Sequence, residues 1–178
     1  MTDMAAQLQQ AIKCLQIRDV LMRASHSSVS EDFDPKYDSG VDDLLVQLKH
    51  VVTQSQVIEV EDGEETHQIF RVFIDLGARW VVATPEVQDD AGEDVAKPHV
   101  KAQIEATLIA EYALKDVPGK EALDAFALKN ANYHVWPYWR EFLSSQSQRM
   151  GLPKVVVPTV QFAQNHNQQV EPSAVAET

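Results

Sequence analysis

Cysteine is almost absent: Cys14 is the single one in 178 residues. That excludes an internal disulfide framework and any zinc cluster built on cysteine. Basic side chains are also scarce, 15 Lys and Arg against 27 Asp and Glu, so the formal net charge is −12 at pH 7. With no basic block the chain repels phosphate backbones, and no nucleic-acid partner is expected. No apolar run approaches the roughly 18 residues that cross a bilayer. Residues 1–10 lack the basic start and apolar stretch of a secretory signal. A soluble, cytoplasmic protein without membrane insertion is therefore expected.

The signatures of catalysis are missing too. There is no G-x-S-x-G elbow, no G-x-x-x-x-G-K phosphate loop and no G-x-G-x-x-G turn. The six histidines are scattered, none paired at the i, i+4 spacing of a zinc-binding helix. Acidic residues are so abundant that any two could be paired as acid and base, which empties that signal. No catalytic residue, metal ligand or cofactor is nominated.

What is present is enough for one core. With 44% hydrophobic and 24% charged residues, the chain falls in the globular class rather than the disordered one. From Val100 to Leu114 the residues Val100, Ala102, Ile104, Ala106, Leu108, Ala110, Tyr112 and Leu114 share one face. Lys101, Gln103, Glu105, Thr107 and Glu111 share the other. Period two predicts a strand with one buried face, against the helical propensity of its Ala, Glu and Leu. Phe70, Val72, Ile74 and Leu76 alternate likewise, with Gly77 expected to allow a bend before Trp80. Leu44, Val46, Leu48 and Val52 predict a third strand, and Asp62-Gly63 a hairpin turn between the two. Leu15 to Ala24 is ambiguous: Met4, Leu8, Ile12 and Leu15 have helical spacing, but Ile17, Val20 and Met22 fit no single period.

Ser25 to Gly40 and the acidic stretch Pro85 to Pro98 are expected as loops. After Pro118-Gly119 the pattern turns helical, with an apolar stripe through Leu123, Phe126 and Ala127. A break is expected at Pro137, then a second stripe through Trp139, Phe142, Leu143 and Met150, capped by Gly151. Residues 163–178 hold almost no large apolar side chain and are expected to be disordered, leaving 1–162 as one domain. Strands first and helices last predict an α+β fold, a four-stranded antiparallel sheet with the C-terminal helices on one side.

Tyr133, Trp136, Tyr138, Trp139 and Phe142 crowd into ten residues. They could fill a core and an oligomer seam, which would make the protein a non-catalytic oligomeric α+β binding module with buried aromatics. They could instead line an apolar groove for extended polypeptide.

The stretch Val135-Trp136-Pro137-Tyr138-Trp139-Arg140-Glu141 resembles the SecB export-chaperone family, whose members carry an apolar pair, Pro-Tyr, a variable residue and Arg-Glu between their two helices. The resemblance continues from Arg149 through Pro153 into Val157-Pro158-Thr159-Val160-Gln161-Phe162, and upstream in Arg18-Asp19-Val20-Leu21-Met22-Arg23-Ala24. Phe33 and Tyr37 match two aromatics four residues apart in the family's long crossover loop. This resemblance implies a homotetramer, a dimer of dimers, that holds unfolded client proteins without ATP, either preproteins for export or a dedicated client such as an antitoxin. The client-binding positions it implies are Phe33 and Tyr37 first, then Val20, Met22, Trp136, Trp139, Phe142 and Leu143. It also implies docking to the translocase motor SecA through acidic residues including Asp19. Arg23, standing where the family has Glu, reverses a charge in that patch and counts against SecA.

Overall fold

A computed structural model describes residues 2–82 and 99–157. The acidic stretch 85–98 and the tail 163–178, on which the sequence raised expectations, lie outside the described residues. Among the described residues three α-helices and four strands follow in order: α1 (Thr2–Cys14), β1 (Leu15–Val29), β2 (Leu45–Asp62), β3 (Glu65–Val81), β4 (Val100–Leu114), α2 (Lys120–Lys129) and α3 (Ala131–Arg149), with a short 3-10 helix at Val41–Asp43 before β2. The strands form one antiparallel sheet in the order β1-β4-β3-β2, so the chain crosses from one edge to the other between β1 and β2. The expected α+β architecture is the one observed, with α1 added at the N-terminus.

The central strands carry the core. In β4 the alternation holds residue by residue: Ala102, Ile104, Ala106, Leu108, Ala110 and Tyr112 are all buried on the helix side. The alanines alternate with larger side chains and leave room for Val135, Trp139 and Leu143, spaced four apart on α3 and buried in the same cluster. In β3, Phe70, Val72, Ile74, Leu76 and Trp80 complete that layer. Phe126 of α2 meets Tyr112 edge-on, with ring centroids 4.8 Å apart.

Three local expectations are corrected. Gly77 makes no bend: β3 runs through it to Val81, and a Cβ there would lie 3.4 Å from both Lys49 and Glu105, so the glycine admits those side chains. The helical break falls at Asn130, and Pro137 sits inside α3 on its exposed side. Water on that side can satisfy the carbonyl that proline deprives of its partner. Finally, β1 extends to Val29, so the crossover loop begins at Ser30 and not at Ser25.

The irregular spacing in β1 has a simple cause. Its pairing with β4 is shifted between Ile17 and Asp19 and again between Met22 and Ala24. Each bulge resets the alternation by one residue, so Ile17, Val20 and Met22 all reach the helix side despite unequal spacing. The Asp-Gly signal is realised as a two-residue turn, Asp62 pairing with Glu65 around Gly63 at φ +66°. Gly151, at φ +69°, ends α3 as expected: the Leu152 and Gly151 amides donate to the Ser147 and Gln148 carbonyls in a Schellman cap.

His134 joins α3 to the sheet, its Nδ1 lying 3.0 Å from the Tyr112 hydroxyl. Burial pushes the imidazole below its ordinary value of 6.5 and the Tyr112 phenol upward. Below that value the unfolded chain binds a proton at this position more readily than the folded one. The contribution is therefore complete above the ordinary histidine range and lost as the pH falls through and below it. Urea unfolding at about pH 7.5 and about pH 5.5 should show the wild type losing more stability on acidification than His134→Gln; equal losses would remove His134 from the acid response.

Candidate functional site: two open apolar margins

A helix is about 10 Å across, whereas four strands spaced by about 4.8 Å make a sheet wider than one helix can cover. The α3 helix lies over β4, β1 and β3, and α2 touches β2. Along β2 the helix side carries Val46, Leu48, His50, Val52 and Val57, which pair with the buried row of β3. Val46, Leu48 and Val57 are nevertheless exposed. His50 bridges this margin to α3, edge-on to Trp136 with ring centroids 6.0 Å apart. On the other edge, Val20 is buried but Ile17 and Met22 are open, next to the exposed Ile12 of α1. Two apolar margins thus flank α3, one beside each edge strand.

The edges themselves are long, 15 residues in β1 and 18 in β2. Typical strands have about five or six residues, and long unprotected edges invite pairing with another chain.

The crossover loop is tied down at its start. Lys101 donates to Asp32 at 2.7 Å, Ser30 donates to the other carboxylate oxygen at 2.5 Å, and His99 lies 3.4 Å away. Held chiefly by the Lys101 bond and then by Ser30, the Asp32 carboxyl falls to about 2. Phe33, next in sequence, turns into the core, 7% exposed. Asp34 then builds a turn, its carboxylate accepting from the Lys36 amide and its carbonyl from the amides of Tyr37 and Asp38. That turn presents Tyr37 to solvent, 77% exposed, with the Lys36 ammonium 5.1 Å from its ring centroid. Beneath the loop, Phe33, Gly40, Leu44 and Val82 line a hollow of about 260 Å³.

The nominated positions therefore separate. Val20, Phe33, Trp139 and Leu143 are buried in the single chain; Trp136 and Phe142 are half-buried at the margin of the core; Met22 and Tyr37 are exposed. The open residues on β2, Val46, Leu48 and Val57, were not nominated from the sequence. Their alternation marked a strand but could not say that no helix covers its end of the sheet. Asp19 stands on the face away from the helices, opposite Glu111, with its carboxylate accepting from the Val20 amide at 2.7 Å. Among the described residues no three His, Cys, Asp or Glu side chains are grouped to hold a metal ion, and no helix is long and apolar enough to cross a membrane.

A four-stranded antiparallel sheet in the order β1-β4-β3-β2, with α3 packed on one face, places the chain in the α+β class. No family model matches the sequence, and no curated protein matches it either. Among solved structures the chain is similar to the SecB-like chaperone Rv1957 of Mycobacterium tuberculosis, determined in complex with a ChAD peptide from the Rv1956 HigA1 antitoxin. The TM-score is 0.59 at 19% sequence identity, over 88% of this chain and 97% of that one. The chain has the SecB-like fold that the Pro-Tyr-x-Arg-Glu resemblance implied.

The two loop aromatics should behave differently in the folded chain. Phe33→Ala is expected to cost about 3 kcal/mol or more, the range for truncating a buried phenylalanine. Tyr37→Ala should stay within about 0.5 kcal/mol of wild type. Chemical denaturation of the two variants checks this, and equal losses would show that the loop does not hold Phe33 in the core.

Proposed function

We propose that the protein is an ATP-independent holdase chaperone, acting by binding and without catalysis or cofactor, that keeps nonnative polypeptides from aggregating. The observation that carries this reading is the pair of open apolar margins beside α3, on a chain whose charge of −12 keeps such a surface soluble. Met22, Tyr37, Trp136 and Phe142 reach solvent and contact client directly. Phe33, Val20, Trp139 and Leu143 shape the walls from beneath. Clients bind as extended chain, and capture of the unfolded form shifts their folding equilibrium by mass action.

The working unit is a homotetramer, a dimer of dimers, in the cytoplasm, built from the domain 1–162 with 163–178 as a tail. The long β1 and β2 edges favour association of this kind, since they would otherwise stand unpaired. The client is a dedicated one, an antitoxin or similar aggregation-prone protein. Two facts support that choice over preprotein export: the SecB-like chaperone of similar fold was solved with an antitoxin peptide, and Arg23 places a positive charge where SecA docking would need an acid beside Asp19.

The burial of Phe33, Trp139 and Leu143 favours a second reading, a non-catalytic oligomeric binding module whose aromatics serve only its own packing. Native-state binding of an apolar fluorophore separates the two, because a closed module offers it no groove. For the holdase, light scattering of a chemically denatured client on dilution should fall when stoichiometric protein is added without nucleotide. Leu48→Asp combined with Tyr37→Ala should lose that effect while sedimentation shows the oligomer unchanged. Undiminished suppression by the double variant would take the margins out of the function. Affinity capture from the native host then decides the client: one dominant small protein supports the dedicated role, and many envelope precursors together with SecA would replace it with export.

A further inference from the structure

The face of the sheet turned away from the helices has its own organisation. Across it Leu21 of β1, Ile109 of β4 and Phe73 of β3 stand in one row, since each is the registered partner of the next. Charged residues flank the row, and nearly all are paired. Arg71 donates Nε to Glu111 at 2.6 Å, Lys49 lies 3.7 Å from both Asp75 and Glu105, Thr107 donates to Asp75, and Arg79 donates to Gln47.

Arg23 has no ion pair. A bulge in β1 pushes it out of the ladder and over Phe73, its guanidinium carbon 5.8 Å from the ring centroid. No acidic side chain lies within ion-pair distance of it among the described residues. Beside it opens a hollow of about 390 Å³ lined by Arg23, Thr53, Gln54, Gln56, Arg71 and Phe73, together with Ala24 and Thr107, and no carboxylate lines it. Because Arg71 meets Glu111 through Nε, its two terminal nitrogens are left to offer.

We propose that this hollow on the outer face of the sheet docks an acidic peptide segment of a partner protein, its carboxylates on Arg23 and Arg71 and an apolar neighbour on the exposed Leu21, Ile109 and Phe73 being buried. The surface is selective by sign: two guanidiniums and neutral amides and hydroxyls sit on a chain whose total charge is −12. A nucleic acid is disfavoured by the net charge of the chain and by the small number of cations offered. A peptide that alternates carboxylates with leucines satisfies both the guanidiniums and the exposed Leu21. The proposal does not rest on the holdase reading, since it uses the opposite face of the sheet.

The test titrates the full chain into a fluorescein-labelled peptide of alternating glutamate and leucine, followed by anisotropy at low ionic strength. A second peptide with lysine in place of every glutamate is run in parallel. Binding of the acidic peptide alone is expected, weakening as salt is raised and falling by about tenfold or more in Arg23→Glu. Arg23→Gln should fall between the two, and Tyr37→Ala should bind as wild type does. Circular dichroism melts of the Arg23 variants, unchanged because the side chain is exposed, confirm that each is folded. Equal binding of both peptides, no binding of either, an unchanged affinity in Arg23→Glu, or binding of single-stranded DNA in place of the acidic peptide would each overturn the proposal. Suppression of client aggregation by Arg23→Glu, measured alongside, should equal that of wild type. A loss there with peptide binding intact would count against this assignment of Arg23 without touching the margins.

Discussion

A single layer of helix over a four-stranded sheet is the constraint from which the rest of this molecule follows. The α3 helix spans about 28 Å at 1.5 Å per residue, and a strand of 15 to 18 residues extends to about 50–60 Å. Coverage is therefore incomplete in both directions. The helical layer buries the rows of β3 and β4 that contain Ile74, Leu76, Ile104, Leu108 and Tyr112. The edge strands keep the same apolar alternation with nothing above much of it, which is a liability for a monomer and a resource for a protein that binds other chains.

The two faces of the sheet then divide the work. On the helix side burial dominates: Tyr112 and His134 meet there as a pair, while Trp80 Nε1 and the Ser147 hydroxyl are buried without a hydrogen-bond partner among the described residues. On the outer side the side chains are mixed, and charge pairing decides which groups remain available. Glu111 is 7% exposed and tolerable there because Arg71 lies against it. Arg23 has no such partner, and the bulge that displaces it from the ladder is the reason it stands apart from the paired charges. The second of the two bulges in β1, between Met22 and Ala24, is the one that carries Arg23 out of the ladder.

The crossover loop shows how a short polar segment can hold two aromatics four residues apart in opposite environments. Asp32, fixed by Lys101 and Ser30, anchors the point at which Phe33 turns inward, and Asp34 closes the turn that sends Tyr37 outward. In the sequence the two residues look equivalent, both apolar islands in an acidic stretch. What separates them is whether a backbone amide or a core cavity lies beneath, which depends on Lys101 arriving from β4 and on the end of α3 packing nearby, where Gly151 faces Pro35.

The residue order by itself determined the α+β class, the alternation of β4, the hairpin at Gly63 and the cap at Gly151. Each depends on interactions between residues close in sequence or on one unbroken period. It also carried the Pro-Tyr-x-Arg-Glu motif that pointed to the SecB-like fold. Wherever the outcome depended on distant segments, only the tertiary structure decided. Pro137 stays within a helix because its exposed side can be hydrated, and β3 continues through Gly77 beside Lys49 and Glu105. The register of β1 follows from two bulges that no period reveals. Which of the nominated residues are buried and which are exposed depends on the tertiary structure, because exposure follows how far one helix can reach across four strands.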